Sequence, residues 1–181
     1  LGGISLTNDI AFGLQITLEQ AEKLKCKYGL AKESLSSDKN DIVITGINGR
    51  NDLNISQKKL SSIIEARMQE IFHLAKSEIR KVENEGKLNF GVVITGGGSQ
   101  LRDLVDLSQE IFSMPVRIGY PQIINQDYDS YKDNPRYSTA IGIIQYASKN
   151  SFDNNTNSKN GIVGEFIDFF KSGMKKVFKW Y

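Results

Sequence analysis

The chain has 181 residues, a formal net charge of +2, 39% hydrophobic and 24% charged residues. That is enough apolar material for one globular domain or two small lobes, and it excludes a disordered or fibrous chain. A single cysteine, Cys26, and a single histidine, His73, exclude a disulfide framework and a Cys/His zinc site.

In chain order, the first thirty residues predict helix after a glycine turn. Thr17-x-x-Gln20 has the form of a capping box ahead of Ala21, Leu24 and Tyr28, and Gly29 is placed as a stop. Residues 31–40 read as a loop, Asp41 to Thr45 as a short β-branched strand, and Gly46 to Asn54 as turns. Ser56 then caps a long helix in which Leu60, Ile63, Ile64, Met68, Ile71, Phe72, Ala75, Ile79 and Val82 recur at three and four. Gly86 ends it. Phe90 to Thr95 is an apolar strand of the kind buried on both faces of a sheet. Gly96-Gly97-Gly98 follows, then a helix from about Gln100 to Phe112, a strand at Val116 to Ile118, a polar loop over 120–136 and a helix from Tyr137 to Ser148. Helices alternating with single strands, without repeats, place the chain in the α/β class.

Residues 149–164, rich in Asn and Ser, read as a flexible linker, and 165–181 as an amphipathic helix. These last seventeen residues hold four lysines and two acids, so the remaining chain has equal numbers of basic and acidic groups. They also hold six aromatics, including Trp180, the only tryptophan. Projected at 100° per residue, Phe166, Ile167, Phe169, Phe170, Met174, Val177, Phe178 and Trp180 share one side. Lys171, Lys175, Lys176 and Lys179 fill the other. A wide aromatic face opposite lysines suits a helix lying in the plane of an anionic membrane surface better than a coiled-coil seam, which is narrower and aliphatic. Because the body is electrically balanced, nucleic-acid binding is not expected. No run of about 20 apolar residues and no signal peptide are present. With Leu1-Gly2-Gly3 in place of an initiator methionine, the chain is expected to be the C-terminal part of something longer.

Two internal features point to sites. Gly96, Gly97, Gly98 and Ser99 lie where a strand turns into a helix, and glycines there let backbone N–H groups approach a nucleotide. The same residues also suit a tight packing turn; no Gly-Lys-Ser/Thr follows, and Leu101 occupies the third glycine position of a dinucleotide fingerprint. On the long helix, Arg67 and Glu70 are neighbours three apart, suited either to a surface ion pair or to ligand contact. His73, without a second histidine or cysteine nearby, is expected to be structural or merely exposed.

Taken together, these pieces resemble one family. Gly2 to Ala11 (GGISLTNDIA), then Ala21-Glu22-x-Leu24-Lys25 before Tyr28-Gly29, are similar to the opening of the second half of the bacterial FtsA family of cell-division proteins. Ile64-Glu-Ala-Arg67-x-x-Glu70-Ile71, Val93-Ile-Thr-Gly-Gly-Gly-Ser99, Val116-Arg-Ile-Gly119 and Tyr137-Ser-Thr-Ala-x-Gly142 follow in the same order, as do the linker and tail. The resemblance implies an actin-like, ribonuclease H-like second lobe over 1–148, incomplete at its N-terminus, then the linker and membrane helix. It implies ATP, with Mg2+ in the complete protein: Gly96 to Ser99 would form the adenosine-side loop and Glu70 would approach the nucleoside. Arg67, with Arg50 and Lys59, would face the C-terminal peptide of the tubulin-like FtsZ, although Arg67 could serve either site. It further implies filament formation, contacts with other division proteins, and a location at the division site on the cytoplasmic face of the inner membrane. The family's phosphate loops lie upstream of Leu1, so half an ATP site and no hydrolysis by this chain alone are expected. Half of another actin-superfamily ATPase (a sugar kinase, chaperone or pilus-assembly protein) is the alternative.

Overall fold

The computed structural model describes residues 2–39, 41–46, 49, 51–82, 91–122 and 133–153. Arg50, most of the expected linker and the whole expected tail lie outside them. The chain divides into two compact units, Leu1–Tyr120 and Pro121–Tyr181.

In the first unit, α1 (Gly3–Leu14) packs on α2 (Leu18–Tyr28) and on α3 (Gln57–Val82), and α3 packs on α4 (Leu104–Phe112). The capping box is formed: the Thr17 side chain accepts from the Gln20 N–H while the Gln20 side chain accepts from the Thr17 N–H. α1 ends at Gln15 in the left-handed conformation, whose N–H returns to Ala11 and Phe12 carbonyls, so α2 can fold back at once. Leu6, Ile10 and Leu14 of α1 meet Ala21 and Leu24 of α2 and the stripe Leu60, Ile64, Met68 and Phe72 of α3, each four residues apart. Phe72 and Phe112 stack tilted, centroids 5.5 Å apart, where α3 meets α4. Each such fully buried side chain contributes about 1.5–3 kcal/mol.

Gly29 closes α2 against this core. A Cβ there would lie 2.4 Å from the Lys25 carbonyl oxygen and 3.1 Å from Ile64 Cδ1, so only glycine lets the chain pass. The segment beyond it is tied to two elements. Ala31 N–H donates to the Arg102 carbonyl at 2.9 Å, and Glu65 of α3 accepts from the Glu33 N–H at 2.6 Å. Glu65, a polar position within the apolar pattern of α3, is therefore a backbone anchor.

Two small sheets complete the unit. β1 (Ile42–Ile44) pairs antiparallel with β2 (Leu53–Ile55), setting Ile42 opposite Ile55. β2 occupies part of the stretch read as turns. β3 (Val92–Ile94) pairs parallel with β4 (Val116–Ile118), Val92 opposite Val116. Contrary to the sequence expectation, β3 is not buried on both faces: Val93 is 50% exposed. The helix expected from Gln100 is split into a 3-10 turn, Gly97–Gln100, and α4, because Asp103 adopts the left-handed conformation between them. In the second unit a 3-10 turn, Pro135–Tyr137, leads into α5 (Ser138–Asp153), which ends five residues beyond the Ser148 that the sequence pattern indicates. No helix among the described residues is long and apolar enough to cross a membrane.

Candidate functional site

The first unit carries a cleft of about 840 Å³ walled by the start of α1, one face of α2 and the glycine turn after β3. That volume lies within the range of small-molecule sites, about 300–1,000 Å³. The bridge between Leu30 and Arg102 holds the third wall against the end of α2.

α2 supplies the polar groups. Glu22 and Lys25 are three residues apart and share a face. Lys25 Nζ donates to Glu22 Oε2 at 2.6 Å, to Thr7 Oγ1 of α1 at 2.8 Å and to the Gly3 carbonyl at 3.1 Å. Thr7 Oγ1 also donates to Glu22, and Cys26 Sγ lies 3.4 Å from Glu22 Oε1. Partial burial pushes the Glu22 carboxyl up, but hydrogen bonds from Lys25 and Thr7 and the Lys25 charge outweigh it, leaving its pKa below the ordinary value. The cleft thus presents the Glu22 carboxylate with the Lys25 Nζ fixed beside it.

The glycine turn presents backbone. Gly96 sits at φ +89, which an L side chain rarely adopts, and this swings the chain from β3 into the 3-10 turn. Gly97 and Gly98 line the cleft. Ser99 is buried and turned inward, its Oγ donating to the Gly96 carbonyl at 2.8 Å, so it holds the turn's shape. Glu70 is not among the lining residues; it lies on α3, beside Arg67.

Arg67 forms a second constellation. Its Nε and Nη2 donate to Asp9 of α1 at 2.5 and 2.9 Å, a bidentate pair, while Nη1 reaches Glu70. The Asp9 hydrogen bond holds the guanidinium pKa above its ordinary value. Phe12, one turn further along α1, is 88% exposed. Lys59 stands exposed in the first turn of α3, its N–H capped by Ser56 Oγ at 3.2 Å. Exposed His73 has no second histidine or cysteine beside it, and no metal-holding group of three His, Cys, Asp or Glu gathers among the described residues. Sequence reasoning did not single out Asp9, Thr7, Glu22 or Lys25 as site residues, although all four stand inside the motifs that carry the resemblance. The Glu22/Lys25 spacing was the available signal.

A model of the family described as Cell division protein FtsA matches residues 1–142. The chain belongs to the FtsA family. It is 33% identical over 161 residues to cell division protein FtsA of Pseudomonas aeruginosa, covering 89% of this chain and 38% of that one. It is 37% identical over 149 residues to FtsA of Neisseria meningitidis serogroup B, covering 82% and 36%. To FtsA of Escherichia coli K12 it is 29% identical over 186 residues, covering 97% and 44%. The chain therefore spans less than half the length of these relatives. Among solved structures it is similar to MreB 5 of Spiroplasma citri bound to AMPPNP, with TM-score 0.59 and 18% identity, covering 83% of this chain and 45% of that one. The ADP-bound form gives a TM-score of 0.53 over 84% and 46%. The fold is thus that of an actin-like lobe, and FtsA membership sets aside a sugar kinase, chaperone or pilus-assembly protein.

Proposed function

We propose that this FtsA-family chain is the nucleotide- and partner-binding lobe of an adaptor that holds FtsZ filaments on the cytoplasmic face of the inner membrane at the division site. The observation that carries the reading is the placement of α1. One side of the helix walls the cleft with Thr7, and another presents Asp9 locked to Arg67. The cleft fits an adenosine in size and chemistry: Glu22 can accept from ribose hydroxyls, Lys25 can donate, and Gly97 and Gly98 allow close approach to backbone. ATP is proposed as the ligand, consistent with nucleotide in the similar MreB 5 structures. Its bound form would supply phosphates carrying Mg2+, to which no residue of this chain is assigned. The chain is assigned half a site and no hydrolysis.

Arg67, with Asp9 fixing its orientation and exposed Phe12 one turn beyond Asp9 on α1, is the face proposed for the acidic C-terminal peptide of FtsZ, with Lys59 and Arg50 proposed as further contacts. A charged contact flanked by an exposed aromatic is the usual make-up of such an anchor. Residues 165–181 are the proposed membrane anchor, with Phe178 and Trp180 inserted and the lysines facing lipid headgroups. A single such helix binds reversibly, so filament formation by linked copies would supply stable attachment. Fluorescence anisotropy with the FtsZ C-terminal peptide tests the partner face: the chain should bind it and Arg67→Glu should lose it. Unchanged affinity in the variant would refute the assignment.

A further inference from the structure

The polar wall of the cleft contains one buried hydroxyl, that of Thr7. Thr7 Oγ1 meets Lys25 Nζ at 2.8 Å, the Gly3 carbonyl at 3.1 Å and Glu22 Oε2. A hydroxyl has one hydrogen to give. Lys25 donates to Thr7, so the Gly3 carbonyl and the Glu22 carboxylate compete for that hydrogen. Bonding back to the carbonyl four residues earlier is ordinary for a helical threonine. An ionised carboxylate is the stronger acceptor, however, and the Gly3 carbonyl already receives a hydrogen from Lys25 at 3.1 Å. The hydrogen therefore goes to Glu22. We infer that Thr7 is a positioning residue of the cleft: its hydroxyl holds Glu22 by Oε2, leaving Oε1 as the acceptor offered to a ligand, and the cleft thereby selects a sugar with free vicinal hydroxyls. This rests on the reading of the cleft as a nucleotide site.

The hydrogen bonds on this wall are divided unequally between the two carboxylate oxygens. Oε2 accepts from Thr7 and from Lys25, the latter at 2.6 Å, whereas Oε1 has the weak S–H of Cys26 at 3.4 Å. Lys25 makes three donations, as many as a lysine has, so a ligand takes one only by displacing Glu22, Thr7 or Gly3. The other charged groups lining the cleft are engaged elsewhere. Glu19 pairs with Lys23, and Arg102 Nη2 reaches the Lys27 carbonyl at 3.5 Å. What a ligand meets is thus an acceptor, and what that acceptor recognises is a hydroxyl donor. Without the Thr7 hydrogen the carboxylate could turn about its last bond and share itself between Lys25 and the ligand. Partial burial pushes the Glu22 carboxyl up, while Lys25 and then Thr7 pull it down, so the carboxyl itself reports on Thr7.

Thr7→Val removes the hydroxyl and keeps the branched shape, and Thr7→Ser keeps the hydroxyl. Nuclear magnetic resonance titration of the Glu22 carboxyl carbon in the ligand-free chain should show a raised pKa in Thr7→Val and an unshifted one in Thr7→Ser. A threonine that only braces α1 would leave that titration where it is. ADP should bind the unaltered chain about tenfold more tightly than dideoxy-ADP, which lacks both ribose hydroxyls, the worth of one hydrogen bond at a half-exposed carboxylate. Thr7→Val should reduce the preference to about threefold or less, and Thr7→Ser should retain it. Should Thr7→Val fail to fold, the Thr7 hydroxyl proton of the unaltered chain carries the test. Its resonance should be protected from exchange and should move with the Glu22 carboxyl as pH falls. A hydroxyl proton that ignores that titration overturns the inference. So does a Thr7→Val chain whose Glu22 titration or preference for ADP is unaltered. Absence of ADP binding by the unaltered chain overturns the nucleotide reading, and the sugar selection with it, whereas the carboxyl titration and the hydroxyl proton still decide what Thr7 does to Glu22.

Discussion

The glycine turn after β3 offers a crossed test of the cleft, because two of its glycines are there for different reasons. Gly96 has open space where a Cβ would stand but φ +89, whereas Gly98 has an ordinary backbone and its added Cβ would have Gly3 N, at 3.8 Å, as nearest neighbour. Gly96→Ala forces an L residue into the left-handed half of conformational space, at about 1–2 kcal/mol. For a unit of this size that lowers the melting temperature by about 3–10 °C. Gly98→Ala makes only ordinary van der Waals contact and should change stability by no more than about 0.5 kcal/mol. Its methyl, however, stands on the cleft wall, and a ligand displaced from the backbone there loses one hydrogen bond's worth of interaction, about 1–3 kcal/mol. That is about a 5- to 150-fold loss of affinity. Thermal unfolding and nuclear magnetic resonance titration with ADP measure the two effects on the same samples. The expected outcome is a stability loss with retained binding for Gly96→Ala, and the reverse for Gly98→Ala. Unaltered ADP binding by Gly98→Ala would refute the cleft as the nucleotide site.

Other expectations follow from burial and charge. Ile64 is fully buried beneath Gly29, so Ile64→Ala should cost about 2–5 kcal/mol in urea unfolding. One helical turn earlier, Ser61 is also buried, but its hydroxyl has no hydrogen-bond partner among the described residues. Ser61→Ala should therefore be neutral or stabilising, by up to about 1 kcal/mol, and a clear destabilisation would contradict that geometry. Because folding lowers the pKa of Glu22 from its ordinary 4.5, its stabilising contribution is complete above that value and is lost as pH falls through the lower folded value. Melting temperature against pH should decline in that acidic window, and Glu22→Gln should flatten the decline. Cys26, exposed on the cleft wall, should react more slowly with iodoacetamide as ADP is added, as intact-mass spectrometry would show.

Features set by local periodicity were legible in the sequence. The α3 stripe, the Thr17/Gln20 box and the glycine turn all stand where spacing puts them. Features created by distant contacts were not. β2 is three residues with an asparagine in the middle, and it exists because Ile42 and Ile55 pair across the hairpin. Asp9 lies 58 positions from Arg67, and neither residue's neighbours announce the other. The cleft needs Thr7, Glu22 and Gly98 brought together from three segments, so the sequence could mark the turn without saying which α2 side chains face it. Ser99 looked like part of a ligand loop, yet its hydroxyl is spent on the Gly96 carbonyl.

The central claim is that one chain joins a filament-binding face to a membrane-binding tail. Reconstitution on anionic vesicles with fluorescent FtsZ measures that directly. The unaltered chain should bring FtsZ to the vesicle surface; Arg67→Glu should bind vesicles without FtsZ, and Phe178→Glu with Trp180→Glu should bring neither. FtsZ recruitment that survives both sets of substitutions would contradict it.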